Sequence, residues 1–252
     1  MLSLITLAEK AALIAGEAIM EIYAQDFEVM TKDDASPVTQ ADLRASALIK
    51  EVLAPTGIPF VSEEDLPPDR SQFGRYWLVD PLDGTAEFVN RNGEFTVNIA
   101  LIENTRPVLG VIYAPVMKKI WKTGDRSQKT EDWRQKAGER PFTVLVSRSH
   151  RTQEVDDYID KILRPLHPDL VIDTQGSSLK FARLVEGSAD IYVCYSKTKE
   201  WDTAAADAIL TAAGGQVLRI SDGQPLEYDK EDYPNPPFIA LAPQANHIII
   251  IE

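Results

Sequence analysis

The chain has 252 residues, with 26 Lys and Arg against 39 Asp and Glu, giving a formal net charge of −13. Hydrophobic residues make up 44% and cysteine occurs once, at Cys194, which excludes a disordered chain, an intramolecular disulfide and a cysteine-based zinc cluster. The acidic surplus argues against nucleic acid and anionic membrane as partners, because like charge repels, yet it suits an enzyme that meets anions through bound metal.

Residues 2–22 are mostly small and apolar, but Glu9, Lys10, Glu17 and Glu21 interrupt them and no basic start precedes them, unlike a secretory signal. Leu4, Leu7, Ala11, Ile14, Ala18 and Ile22 recur at helical spacing, which predicts an amphipathic helix of a cytoplasmic protein. Peripheral association with the inner membrane stays open; an integral span does not, since no apolar run approaches the roughly 18 residues required. A polar stretch over 31–39 precedes a second predicted helix over 40–53. A strand over 58–61 leads into the acidic Ser62-Glu63-Glu64, followed by a loop over 65–74. Tyr76-Trp77-Leu78-Val79 predicts a strand that halts at Asp80-Pro81. Strands over 95–102 and 108–113 pair about a turn at Asn104-Thr105, and 121–140 reads as polar and exposed.

The second half alternates strand and helix. Strands are expected over 143–146, 170–172, 190–194 and 216–220, with helices over 154–163, 178–185 and 203–213, the last stopped by Gly214-Gly215. The run Ile248-Ile249-Ile250-Ile251 is expected to close a sheet. This pattern predicts an α/β half, 141–252, following a more antiparallel α+β half, 1–140, in one compact unit.

Carboxylates concentrate in four segments: Lys32 to Asp42, Ser62-Glu63-Glu64, Asp80-Pro81-Leu82-Asp83-Gly84-Thr85, and Trp201-Asp202. The third is the most informative. A hydrophobic strand delivers Asp80, Pro81 fixes the backbone, and Asp83 follows three residues on, so both acids and the Leu82 carbonyl can converge on a hard cation. Gly84 permits a tight turn before a short helix, and the amides of Gly84 and Thr85 are placed to meet a phosphate oxygen. Taken singly, Asp80 and Asp83 suit a turn, Glu63 and Glu64 a solvated loop, Asp202 a helix N-cap and Asp42 a helix-dipole partner. No Gly-x-x-x-x-Gly-Lys, Gly-x-Gly-x-x-Gly or His-Glu-x-x-His occurs, and His150, His167 and His247 are scattered.

In this order the segments resemble the inositol monophosphatase superfamily of metal-dependent, lithium-sensitive phosphatases. Asp80 to Thr85 is similar to its first signature and Trp201-Asp202 to its second. The blocks 76–85, 87–88, 91–102, 110–117, 147–150 and 176–180 resemble its bacterial bisphosphate nucleotidase branch, and the similarity is weakest over 118–140. The resemblance implies a layered αβαβα sandwich of the inositol monophosphatase and sugar phosphatase type. It implies two or three Mg²⁺ ions held by Glu63, Asp80, Asp83, Asp202 and the Leu82 carbonyl, with Asp42 and Thr85 activating the attacking water. Substrate contacts carry over to Glu63, Leu82, Asp83, Gly84, Thr85, Ser177, Lys180 and Asp202. The implied reaction converts adenosine 3′,5′-bisphosphate to AMP and phosphate, in support of sulfate assimilation, in a monomer or homodimer. An inositol monophosphatase or sugar-phosphate phosphatase is the alternative within the superfamily; an acidic metal-binding scaffold is the non-enzymatic one. Two positions depart from the branch: Ala86 stands where Lys is common, and Cys194-Tyr195 occupy a stretch that often carries an arginine, for which Lys197 or Lys199 could substitute. Cys194 itself reads as a small buried hydrophobe.

Overall fold

The computed structural model describes residues 3–27, 29–31, 37–67, 69–70, 72–125 and 140–245. Helix α1 (Leu4–Tyr23) begins at Ser3, whose hydroxyl accepts from the Thr6 amide. Its fully buried face is Ala8, Ala11, Ala12, Ala15 and Ile19. These mostly small side chains bring it against Ala41, Ala45 and Ile49 of α2 (Gln40–Leu53). The stripe expected from Leu4, Leu7, Ile14 and Ile22 forms only the half-buried margin of that face. A two-stranded ribbon, β1 (Val29–Thr31) with β2 (Pro37–Thr39), replaces part of the expected polar loop; Asp33 and Asp34 of the first acidic segment lie outside the described residues.

The first sheet has the order β3 (Phe60–Ser62), β4 (Arg75–Asp83), β5 (Thr96–Glu103), β6 (Arg106–Ala114), β7 (Lys119–Lys122). Only the β3–β4 pair is parallel. Side chains alternate across it: Trp77, Val79, Val97, Ile99 and Leu101 face α1 and α2, while Tyr76, Leu78, Ala100 and Ile102 face the opposite core. Strand β4 does not halt at Asp80. It runs on to Asp83, its pairing shifting from Asp80 opposite Asn98 to Asp83 opposite Thr96. Pro81 has no N–H for the ladder, so the strand bulges by one residue there before turning through Gly84 into α3 (Thr85–Val89). Trp121 is also not exposed: it sits in β7, buried, with its indole N–H donating to Glu186 Oε1 at 2.8 Å. Residues 126–139 of that expected polar segment lie outside the described residues.

The second sheet has the order β11 (Gln216–Arg219), β12 (Phe238–Leu241), β10 (Ile191–Cys194), β8 (Thr143–Ser147), β9 (Val171–Gln175). Strand β8 is parallel to β9 and β10, and β12 is antiparallel to β10 and β11. Strand β12 was not expected, because its four apolar residues follow a proline-rich loop; the run over 248–251 lies outside the described residues. One face, with Tyr192, Cys194, Phe238 and Ala240, joins the core of α5 (Leu179–Val185) and α6 (Glu200–Ala213). The other, with Ile191, Val193, Ile239 and Leu241, packs on α4 (Gln153–Tyr158) and its π-helical continuation Ile159–Leu163.

The layers are therefore α1 and α2, first sheet, α5 and α6, second sheet, α4: an αβαβα sandwich. Helix α6 presses tightly on the first sheet. A Cβ added at Gly110 of β6 would lie 2.1 Å from the Ala205 carbonyl oxygen, so only glycine admits this approach.

Candidate active site

A cavity opens where the ends of β3 and β4 meet the starts of α5 and α6. Glu63, Asp80, Leu82, Asp83, Gly84 and Thr85 line it from the first sheet, Ser177 and Lys180 from the start of α5, and Asp202 from α6. Asp42 reaches the same place from behind: its Oδ1 accepts from Thr85 Oγ1 at 3.2 Å.

Each aspartate is held by a backbone amide at one oxygen. Asp42, in the first turn of α2, accepts at Oδ2 from the amide and hydroxyl of Thr39, both at 2.8 Å. Asp80 Oδ1 accepts from the Leu82 amide at 3.0 Å, and Asp83 Oδ2 from the Ser178 amide at 2.6 Å. Asp202 Oδ2 accepts from the Lys199 amide at 2.8 Å. Asp202 is thus the third residue of α6 rather than its N-cap, because the helix starts earlier, at Glu200. Asp42 caps through Oδ2 and meets Thr85 through Oδ1, and Asp202 caps its helix while lining the cavity, so the two readings of these acids do not compete.

The electrostatics show what this costs. Burial holds the Asp80 carboxyl well above its usual range, and the charges of Glu63, Asp83, Asp202 and Asp42 add to the shift. Asp202 is raised well above its usual value by burial and then by Asp83 and Glu63, against the Lys199 amide and a bond from Asp80. Asp42 is raised by burial, eased by Thr39 and raised again by Glu63. Lys180 is not the solvated lysine its spacing allows: it is 6% exposed, and its ammonium donates to Ser177 O at 2.7 Å and Gln175 O at 3.4 Å. Burial lowers its pKa despite the nearby Asp83 charge.

Among the described residues no three His, Cys, Asp or Glu side chains close round one point, as expected of carboxylates that repel one another. Four hard carboxylates and the Leu82 carbonyl, crowded so that Asp80 and Asp202 are held well above their usual range, fit a hard divalent cation of the Mg²⁺ type. The Leu82 carbonyl also accepts from Thr85 Oγ1 at 3.3 Å.

Sequence reasoning missed part of the wall. Glu87, Ser147, His150, Phe181, Tyr192, Ser196, Thr198 and Phe238 all line the cavity. They come from six separate segments, and no spacing in the chain joins them. Ala86 and Lys197 line it too, whereas the Lys199 ammonium is taken by the Asp232 carbonyl at 3.0 Å. Cys194 is buried, as read from the sequence.

The model of the inositol monophosphatase family matches residues 1–252. The 3′(2′),5′-bisphosphate nucleotidase CysQ of Escherichia coli K12 is 43% identical over 242 residues, covering 89% of this chain and 94% of that protein. The protein of the same name from Haemophilus influenzae is 31% identical over 251 residues, covering 92% and 90%. The crystal structure of CysQ from Bacteroides thetaiotaomicron superposes with a TM-score of 0.81 at 39% identity, over 94% of this chain and 96% of that one. The extragenic suppressor protein SuhB from Bartonella henselae, at 23% identity over 96% and 94%, shares the fold with a TM-score of 0.76. With these matches running the length of the chain, it belongs to the inositol monophosphatase family.

Proposed function

We propose that the chain is a Mg²⁺-dependent 3′(2′),5′-bisphosphate nucleotidase that converts adenosine 3′,5′-bisphosphate to AMP and phosphate in the cytoplasm. The similarity to CysQ proteins supports the substrate. The observation that carries the chemistry is the Thr85–Asp42 hydrogen bond beside four crowded carboxylates.

Glu63, Asp80, Asp83, Asp202 and the Leu82 carbonyl would hold the cation. Bound Mg²⁺ supplies neutralisation of the phosphoryl oxygens and acidification of water. The remaining chemistry belongs to side chains. Thr85 Oγ1 gives its proton toward Asp42 Oδ1, which leaves the hydroxyl oxygen able to accept a proton from an attacking water. Burial makes Asp42 a stronger base than a solvated aspartate. Ser177, with φ +48°, and Lys180 form the opposite wall, where the nucleotide would lie. In this division the first half of the chain supplies most cation ligands, and the second supplies Asp202 and the nucleotide wall.

Phosphate release from a panel of monoesters tests the reading. Adenosine 3′,5′-bisphosphate should turn over far faster than inositol monophosphate or a sugar phosphate, only with Mg²⁺, and Li⁺ should inhibit. Preference for inositol monophosphate would overturn the substrate, and turnover unaffected by chelator would overturn the mechanism. No described helix is long and apolar enough to cross a membrane.

A further inference from the structure

Strand β5 carries a polar residue where its own pattern calls for an apolar one. Ala100 and Ile102 enter the core shared with α5 and α6, and Asn98, on the same face, is 1% exposed at the centre of the first sheet. Asparagine is disfavoured in a central strand, and burying its amide is costly unless each polar atom is paired. Here each is. The Asn98 Nδ2 group donates to Asp83 Oδ2 at 3.1 Å and to Ser178 Oγ at 2.9 Å, while its Oδ1 accepts from Thr96 Oγ1 at 3.0 Å. A carboxylate can only accept, so the amide nitrogen must face Asp83.

The chain of bonds continues. Having accepted from Asn98, Ser178 Oγ donates to the Asp202 carbonyl oxygen at 3.1 Å, and the Ser178 amide donates to the same Asp83 Oδ2 at 2.6 Å. Asn98 and Ser178 therefore tie the end of β4 to the first turn of α6 across the gap between them. Their donors converge on Asp83 Oδ2 and leave Oδ1 outside the network.

We infer that Asn98 is a positioning residue that, through Ser178, fixes Asp83 and Asp202 relative to each other for cation binding. The inference rests on reading those two aspartates as cation ligands. Groups behind a metal ligand set its orientation, and their loss weakens metal binding about 10- to 100-fold.

The test is the midpoint of Mg²⁺ titration followed by thermal unfolding without substrate, on wild type, Asn98→Ala, Ser178→Ala and the double variant. Urea unfolding in chelator serves as the measure of folding alone. Each single variant should raise the midpoint at least about tenfold. The double variant should add little, since both act on one network. Ser178→Ala removes only a hydroxyl, so it keeps the test sharp if Asn98→Ala folds poorly. An unmoved midpoint in folded Ser178→Ala, or full additivity in the double variant, overturns the inference while leaving the cation site intact. A wild-type chain that binds no divalent cation, or whose response survives Asp83→Asn, overturns the underlying reading and this one with it.

Discussion

Thr85 Oγ1 stands 3.2 Å from Asp42 Oδ1, a bond that joins the first residue of α3 to the first turn of α2 across 43 positions of sequence. Neither side chain is among the proposed cation ligands, although the Asp42 charge also raises Asp80 and the Thr85 hydroxyl also donates to the Leu82 carbonyl. Losing either group should therefore act first on the attacking water and only weakly on the cation. Asp42→Asn and Thr85→Ala should each lower kcat by about 10²- to 10⁴-fold, the range for losing general base catalysis. The double variant should be hardly worse than either single one, because the two groups act as a unit. The Mg²⁺ midpoint read by thermal shift should stay close to wild type in all three. A large rise in that midpoint would show that Asp42 serves the cation instead.

Crowded like charges predict a trade between stability and activity. Asp80 is buried, and Glu63, Asp83, Asp202 and Asp42 all oppose its ionised form. In chelator, Asp80→Asn should stabilise the fold by roughly 1–3 kcal/mol, the scale of relieving a buried uncompensated group. With saturating Mg²⁺ the order should reverse, since the wild type gains RT ln(1 + [Mg²⁺]/Kd) and the variant gains less. Urea melts with and without Mg²⁺ measure both signs.

How much of this site was legible in the chain depends on what local pattern can encode. The Asp80 to Thr85 segment was readable because strand, proline, acid spacing and glycine turn lie within ten residues. Asp42 and Asp202 were readable only as helix-start acids; both do cap helices, and what else they do depends on which elements meet. Lys180 was left balanced between solvent and ligand, and its burial is set by Tyr192 and the loop at Gln175. Asn98 is a polar residue inside an apolar strand, a signal that sequence reasoning did not take up, and its partners, 15 and 80 positions away, lie beyond any local pattern. The alternation of strand and helix predicted an α/β half after an α+β half, and the five layers were implied by the family resemblance alone. Strand β12 and the burial of Trp121 followed from neither, because short apolar segments flanked by polar residues carry no period.

A buried ion pair behind the site makes a sharper stability prediction. Glu200 is fully buried and meets Arg70 Nη1 at 2.7 Å and the Lys230 ammonium at 2.9 Å, while the Lys230 amide donates to Oε1 at 2.9 Å. The Arg70 contact is an ion contact without hydrogen-bond geometry, since Glu200 Oε2 has no such partner; the Arg70 guanidinium also lies 3.9 Å from the Tyr233 ring centre. Arg70→Ala should cost up to about 3–5 kcal/mol in urea unfolding, because the buried carboxylate is left with only the Lys230 ammonium and amide, both at Oε1. Arg70→Met with Glu200→Gln should cost less, since the fully buried carboxylate is gone and only the partly exposed Lys230 ammonium loses its partner. Equal losses in the two proteins would mean that the packing of the arginine on Tyr233, and not its charge, supports the loop.

Asp207, one and a half turns along α6 from Asp202, gives a pH dependence free of the cation site. It is 1% exposed, accepting from Thr211 Oγ1 at 2.9 Å and from the Tyr228 hydroxyl at 3.0 Å. Burial pushes its pKa from 3.8 up to about 6, against the pull of Arg106 and these two bonds. The folded state therefore holds this proton more tightly than the unfolded chain does. Its contribution to stability is complete below about pH 4, falls as the pH rises through 4 to 6, and is then flat at its lowest. A shift of about two units corresponds to ~3 kcal/mol at most. Asp207→Asn cannot ionise, so its stability relative to wild type should rise between pH 4 and pH 7 by up to that amount and change no further by pH 8. Denaturant melts of both proteins at pH 4, 5, 6, 7 and 8 measure the difference. A variant that loses ground as the pH rises would show that the ionised carboxylate is a net stabilising partner of Arg106, contrary to the burial argument.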